Sequence, residues 1–136
     1  MNIADAVDVV RQQHHAVLAT TRSDGSPQMS PVGVTADDAG RLLISSRATA
    51  YKTRNLRRDP RAWVCVLPDA FYGRWIQVEG EVEIVELPDA MDLLIDYYRR
   101  ISGEHPDWDE YRQAMVAEQR VVLRIRPTRA GPDRQG

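Results

Sequence analysis

Residues 15–36, HAVLATTRSDGSPQMSPVGVTA, decide the fold. Residues 15–22 are short, apolar and β-branched, and read as a strand. Ser23, Asp24, Gly25 and Ser26 then carry the Asp-Gly signal of a tight hairpin turn. A second strand over about 27–35 returns beside the first. Pro31 and Gly33 lie inside it. Proline has no N–H to give a ladder, so this strand is expected at an edge or interrupted. An interruption of that kind lets a ligand approach the backbone closely.

The pattern continues outward from this hairpin. Residues 3–13 place Ile3, Ala6, Val7 and Val10 at helical spacing. After the turn at Asp37-Asp38-Ala39-Gly40, a third strand covers about 41–46. Residues 49–58 (TAYKTRNLRR) read as a short helix with Thr49 as its candidate cap and Pro60 past its end. The fourth strand is about 61–67. The fifth, about 74–86, alternates Trp75, Gln77, Glu79, Glu81 and Glu83 against Ile76, Val78, Gly80, Val82 and Ile84. Gly80 marks a bend or bulge in it. Helices over about 88–101 and 106–118 flank a break at Gly103-Glu104-His105, and a sixth strand spans about 120–126. The expectation is a mainly β fold with peripheral helices, a six-stranded closed or nearly closed barrel. It forms one domain over 1–136, with barrel core 13–126, helical insertion about 88–118, and a flexible tail over 127–136.

Composition excludes several classes. The chain has 136 residues, 43% of them apolar, and a net charge of -2. That size and balance suit one packed domain and argue against a general nucleic-acid binder. Apolar runs fall far short of the roughly 20 residues that cross a bilayer. The N-terminal residues MNIADAVDVV carry acids where a signal peptide needs cations, so a soluble cytoplasmic protein is expected. A single cysteine, Cys65, leaves no internal disulfide or cysteine metal site. His14, His15 and His105 have no metal-ligand spacing.

The charge is unevenly placed. Residues 41–61 hold Arg41, Arg47, Lys52, Arg54, Arg57, Arg58 and Arg61 against Asp59 alone, a local charge of +6. Lys52 is the only lysine beside 17 arginines. Ser45, Ser46, Thr49, Thr53 and Asn55 interleave with these cations around a helix start. Hydroxyls, cations and free helix N–H groups are what a compact phosphate needs. No aromatic platform lies among them, which disfavours nucleic acid. The second strand, with Gln28, Ser30, Pro31 and Val32, offers a surface for a planar heterocycle.

In order along the chain, VLATTRSDGSPQMSPV, LLISSRATAYKTRNLRRDPR and VEGEVEIV resemble the split β-barrel flavin and deazaflavin reductases related to pyridoxamine-phosphate oxidase. KTRNLRRDPR (residues 52–61) is the most specific part. With GEHPDWDEYRQAM (residues 103–115), it resembles the branch that binds coenzyme F420 rather than FMN. The resemblance implies a six-stranded, FMN-binding-protein-like split barrel and a homodimer with cofactor sites at its interface. It implies Lys52, Thr53, Arg54 and Asn55 near the cofactor's phosphate and tail, with Ser45, Ser46, Arg47 and Thr49 in the strand end and loop ahead. It places Gln28, Ser30, Pro31 and Val32 against the deazaflavin ring, and the stretch around Arg74, Trp75 and Gln77 as the contribution of a partner subunit. Ala50 stands where some relatives carry a basic residue. The implied activity is hydride transfer from reduced coenzyme F420 to a small conjugated substrate. The alternatives are an FMN oxidoreductase of the same fold and a non-catalytic cofactor- or haem-binding module. No side chain stands out as proton donor; Tyr51 is the nearest by sequence.

Overall fold

The computed structural model describes Met1–Gln135. In chain order its elements are α1 (Ile3–Val10), β1 (His15–Thr21), β2 (Pro27–Gly33), β3 (Thr35–Ala36), β4 (Leu42–Arg47), α2 (Tyr51–Arg58), β5 (Arg61–Leu67), β6 (Arg74–Val85), α3 (Ala90–Ser102), α4 (Trp108–Ala117) and β7 (Arg120–Gln135). The fold is mainly β with peripheral helices. The strands form one antiparallel curled sheet in the order β2-β1-β5-β6-β7-β4-β3.

Both edges of that sheet belong to one stretch of chain. β2 pairs with β1 from Thr21↔Pro27 to His15↔Gly33, while β3 pairs with β4 through Thr35↔Leu43. Only Val34 lies between them. The strand expected over 27–35 is therefore two strands, and the count is seven rather than six. The barrel closes through a covalent step at Val34 instead of a hydrogen-bonded ladder. Val34 is fully buried, its N–H donates to the His14 carbonyl at 2.9 Å, and its own carbonyl accepts from His14 Nδ1 at 2.8 Å. These bonds pin the step, because a buried backbone group left unpaired is costly.

Period-two alternation fills the interior. Ala16 and Leu18 of β1, Ala62, Val64 and Val66 of β5, Ile76 and Val78 of β6, Leu42 and Ile44 of β4, and Val121, Leu123 and Ile125 of β7 form one buried cluster. Val7 and Val10 of α1 and Leu56 of α2 complete it. The next residues on β4 and β7, Leu43 and Val122, point outward into a second cluster with Ala90, Leu94 and Ile95 of α3 and Tyr111 of α4. β4 and β7 are thus covered on both faces. That double cover holds the two C-terminal helices against the split.

The end of the chain corrects the expected tail. β7 continues past residue 126 as far as Gln135, paired with β6 out to Arg74↔Gln135; Gly136 lies outside the described residues. Cross-strand ion pairs line the whole β6–β7 ladder: Glu83 with Arg124, Glu81 with Arg126 at 2.9 Å, and, in the extension, Glu79 with Arg129 at 3.8 Å and Asp133 with Arg74 at 2.8 Å. The glutamates of the fifth strand alternate as expected, but opposite an arginine strand whose reach the prolines at 127 and 132 conceal. The register slips beside Gly80, where a Cβ would sit 2.5 Å from Ile125 Cγ2 and 2.6 Å from the Arg126 carbonyl oxygen. Glycine is there for close approach of two backbones. Among the described residues no helix is long and apolar enough to cross a membrane.

Candidate functional site

A cavity of about 560 Å³ opens where β2 and β4 part. Pro31, Val32 and Gly33 supply one wall, Ser45 and Lys52 the floor, and Tyr97, Tyr98, Tyr111 and Met115 the opposite wall. Glu118 and Arg120 stand at its lip. Four of the sequence-derived candidates, Pro31, Val32, Ser45 and Lys52, therefore meet in one place.

Lys52 is set there by the first turn of α2. Residue 50, not Thr49, is the helix N-cap, and Ala50 makes no side-chain cap bond. The opening N–H groups of α2 consequently have no side-chain acceptor, and they carry the positive end of the helix dipole. Lys52 is half-buried and makes no ion pair among the described residues. Burial pushes its ammonium pKa down, and the nearby Arg120 charge pushes the same way. Two cations turned toward one cavity without enough counter-charge suit an anion.

The basic segment is less basic in space than in sequence. Asp37, Glu86 and Glu118 fold back onto Arg41, Arg57 and Arg47, at 3.1, 2.7 and 3.4 Å. Arg61 pairs with Asp59 and pulls that carboxyl down to about 2. Arg58 donates to the carbonyl of Thr21. Arg54 is exposed and, like Lys52, has no ion pair among the described residues. The local charge of +6 is thus halved; what persists is carried by Lys52, Arg54 and Arg58.

Other candidates face inward. Ser46 Oγ lies 2.8 Å from Thr53 Oγ1, which also donates to the Arg47 carbonyl at 2.7 Å. Asn55 Nδ2 donates to Thr20 Oγ1 at 3.1 Å, and Gln28 Oε1 accepts from the same hydroxyl at 3.4 Å. Ser46, Thr53 and Asn55 are buried. They fasten α2 across the split and so fix where Lys52 points. Ser30 Oγ differs: it is buried and has no hydrogen-bond partner. An orphaned hydroxyl is unusual in a folded chain and suits a ligand atom. Thr49 is exposed.

Trp75 and Gln77 lie on β6, which two strands, β5 and β1, separate from β2. Neither lines the cavity. They share the outer face of the sheet with half-buried Trp63 and Cys65, beside exposed Met29. Tyr51 is 75% exposed on the helix surface and takes no part in the cavity.

The aromatic wall escaped the sequence reading. Tyr98, His105, Trp108 and Tyr111 form an edge-to-face cluster with centroids 5.0–5.7 Å apart, and the Arg99 guanidinium lies 4.8 Å over the Trp108 ring. Tyr111 donates to the Leu94 carbonyl at 2.8 Å, and burial raises its phenol to about 12. The sequence does show the tyrosines, but nothing in their spacing says that α3 and α4 fold over the split.

A larger concavity, about 670 Å³, lies between α1 and the end of β7. Arg74 is the one candidate residue that lines it, and it is already bound bidentately by Asp133. Among the described residues no cluster of histidine, cysteine and carboxylate can hold a metal.

Set beside known proteins, residues 4–132 match the pyridoxamine 5′-phosphate oxidase family. The chain is 28% identical over 104 residues to an F420H(2)-dependent biliverdin reductase of Mycobacterium tuberculosis, covering 76% of this chain and 74% of that one. A crystal structure of a conserved hypothetical protein from the same species superposes with a TM-score of 0.76 at 29% identity, over 96% of this chain and 82% of that one. An F420 reductase structure gives 0.68 at 26% identity, over 91% and 94%.

Proposed function

We propose that this chain, which belongs to the pyridoxamine 5′-phosphate oxidase family, is a coenzyme F420-dependent reductase of small conjugated molecules. One observation carries the reading: the half-buried, unpaired Lys52 and the neighbouring Arg120 open into a cavity walled by the β2 edge and three tyrosines. The names of the two F420-linked relatives support it. FMN is the competing cofactor, since its phosphate suits the same cations.

Lys52 acts as a point charge on the phosphate, aided by the uncapped N–H groups of α2. Arg54, exposed one residue beyond the buried Thr53, reaches the carboxylates of an extended tail. Ser30 Oγ and the backbone of Pro31-Val32-Gly33 meet the polar edge of a flat ring. Tyr97, Tyr98 and Met115 supply a surface for stacking and exclude water. When bound, the reduced deazaflavin supplies the hydride. The chain's part is to hold donor and acceptor at reacting distance, which by itself lowers the barrier substantially. Solvent delivers the proton at the open mouth.

The outer sheet face bearing Trp63, Cys65, Trp75 and Gln77 suits a second copy of the chain. In such a homodimer Trp75 and Gln77 complete the site of the other protomer. The function is tested by anaerobic mixing of the protein with reduced F420 and a panel of conjugated acceptors. Acceptor-dependent return of the oxidised cofactor's absorbance supports it. Turnover with FMN and a nicotinamide alone would move the protein to the flavin branch.

A further inference from the structure

The cavity lip already contains a carboxylate. Glu118 Oε1 accepts from Arg120 Nε at 3.0 Å and Arg120 Nη2 at 2.8 Å, and from Arg47 Nη2 at 3.4 Å. It lines the same cavity as Lys52, to which it makes no ion pair. Its place is tightly set. Glu118 is the C-cap of α4, and Gln119 follows with a φ of +53°. The Gln119 carbonyl then accepts from Ala48 N–H at 2.8 Å, which locks this corner to the end of β4. Left-handed backbone at a non-glycine residue is tolerated only where surroundings hold it.

We infer that Glu118 is an internal stand-in for the ligand's anion, and that it sets how strongly the site takes up anionic molecules. This rests on the anion-binding reading of the Lys52 cavity. Arg120 presents a fork that suits a phosphate or carboxylate bidentately. Glu118 occupies that fork. Its side chain is about one-third exposed, at 30%. A pair this close to water is worth only about 0.2–1 kcal/mol, so an incoming dianion can displace it. Lys52 has no such occupant and remains the permanently available cation. Glu118 thereby discriminates: a singly charged ligand gains little by replacing it, while a phosphate dianion or polycarboxylate gains more.

The test uses the full chain and two probes, coenzyme F420 and inorganic phosphate, titrated at fixed ionic strength. Glu118→Gln keeps the shape and removes the charge. It is expected to bind both probes about fivefold more tightly, the effect of freeing one partly exposed ion pair. Asp109→Asn removes the same charge from the exposed start of α4 without touching Arg47 or Arg120. It is expected to leave both affinities unchanged. Equal or weaker binding by Glu118→Gln, or equal gains in both variants, would overturn the inference. A wild-type chain that takes phosphate but not F420 removes the proposed cofactor and leaves the Glu118 comparison intact on phosphate. Failure of wild type and Glu118→Gln to bind either probe overturns both.

Discussion

The Tyr97 hydroxyl donates to the Gly33 carbonyl at 3.0 Å, tying α3 to the last residue of β2. Burial raises the phenol's pKa, while the Ser45 backbone and the Arg120 charge act against that. The hydroxyl therefore clasps α3 onto the β2 lip of the split, at the place where no ladder runs between β2 and β4. Tyr97→Phe would leave the Gly33 carbonyl short of a partner. We expect a loss of about 1 kcal/mol in denaturant unfolding. Amide exchange should quicken at Val32 and Gly33, and stay unchanged in β5. Uniform quickening would mean that the hydroxyl is not a local clasp.

Thr53→Val tests whether the buried hydroxyls hold the helix or the ligand. The substitution removes the 2.8 Å partner of Ser46 Oγ, leaving that hydroxyl only its 3.4 Å bond to the Arg47 carbonyl, so a stability loss of about 1–3 kcal/mol is expected by thermal or denaturant unfolding. Cofactor affinity measured well below the melting point should fall only slightly. A large affinity loss in a chain of normal stability would place Thr53 on the ligand.

Gly80→Ala is expected to cost about 2 kcal/mol or more, because its Cβ collides with the Arg126 carbonyl, which cannot rotate away. Circular dichroism melting measures it directly. A neutral result would mean that β6 and β7 separate easily at the bulge.

Anion affinity should depend on pH through Lys52. Its pKa in the free protein lies below the ordinary lysine value, chiefly from burial. A bound phosphate favours the charged form and raises it again. Affinity is therefore full below the lowered pKa and falls as pH rises through it, with up to one proton taken up per ligand bound. The onset should precede that of an unperturbed lysine. In Lys52→Arg this alkaline fall should vanish, because guanidinium stays charged.

Much of the barrel was readable because each inner strand carries its own period-two signal. The hairpin at residues 15–33 and the half-buried strand at 74–85 needed no partner to be recognised. Val34 was harder: nothing local marks one residue as the step between two sheet edges. The residues after 126 read as a tail because Pro127, Gly131 and Pro132 are turn formers, and only the facing residues of β6 show why they extend. In the site, Lys52 and Pro31 were legible from chemical type and spacing. Glu118, Arg120 and Tyr97 were not, since they reach the cavity through packing of α3 and α4 on Leu43 and Val122, a tertiary event. The same folding brings distant acids onto the arginines of 41–61, which a count along the chain cannot register.

The most direct measurement is a fluorescence titration of coenzyme F420 into the purified wild-type chain and into Lys52→Ala, with FMN as the parallel ligand and melting temperature as the control. The account predicts saturable F420 binding by wild type, tighter than FMN. It predicts a loss of about tenfold or more in Lys52→Ala, the effect of removing one charge-assisted phosphate contact, with an unchanged melting temperature. Equal F420 affinity in the two proteins would contradict it.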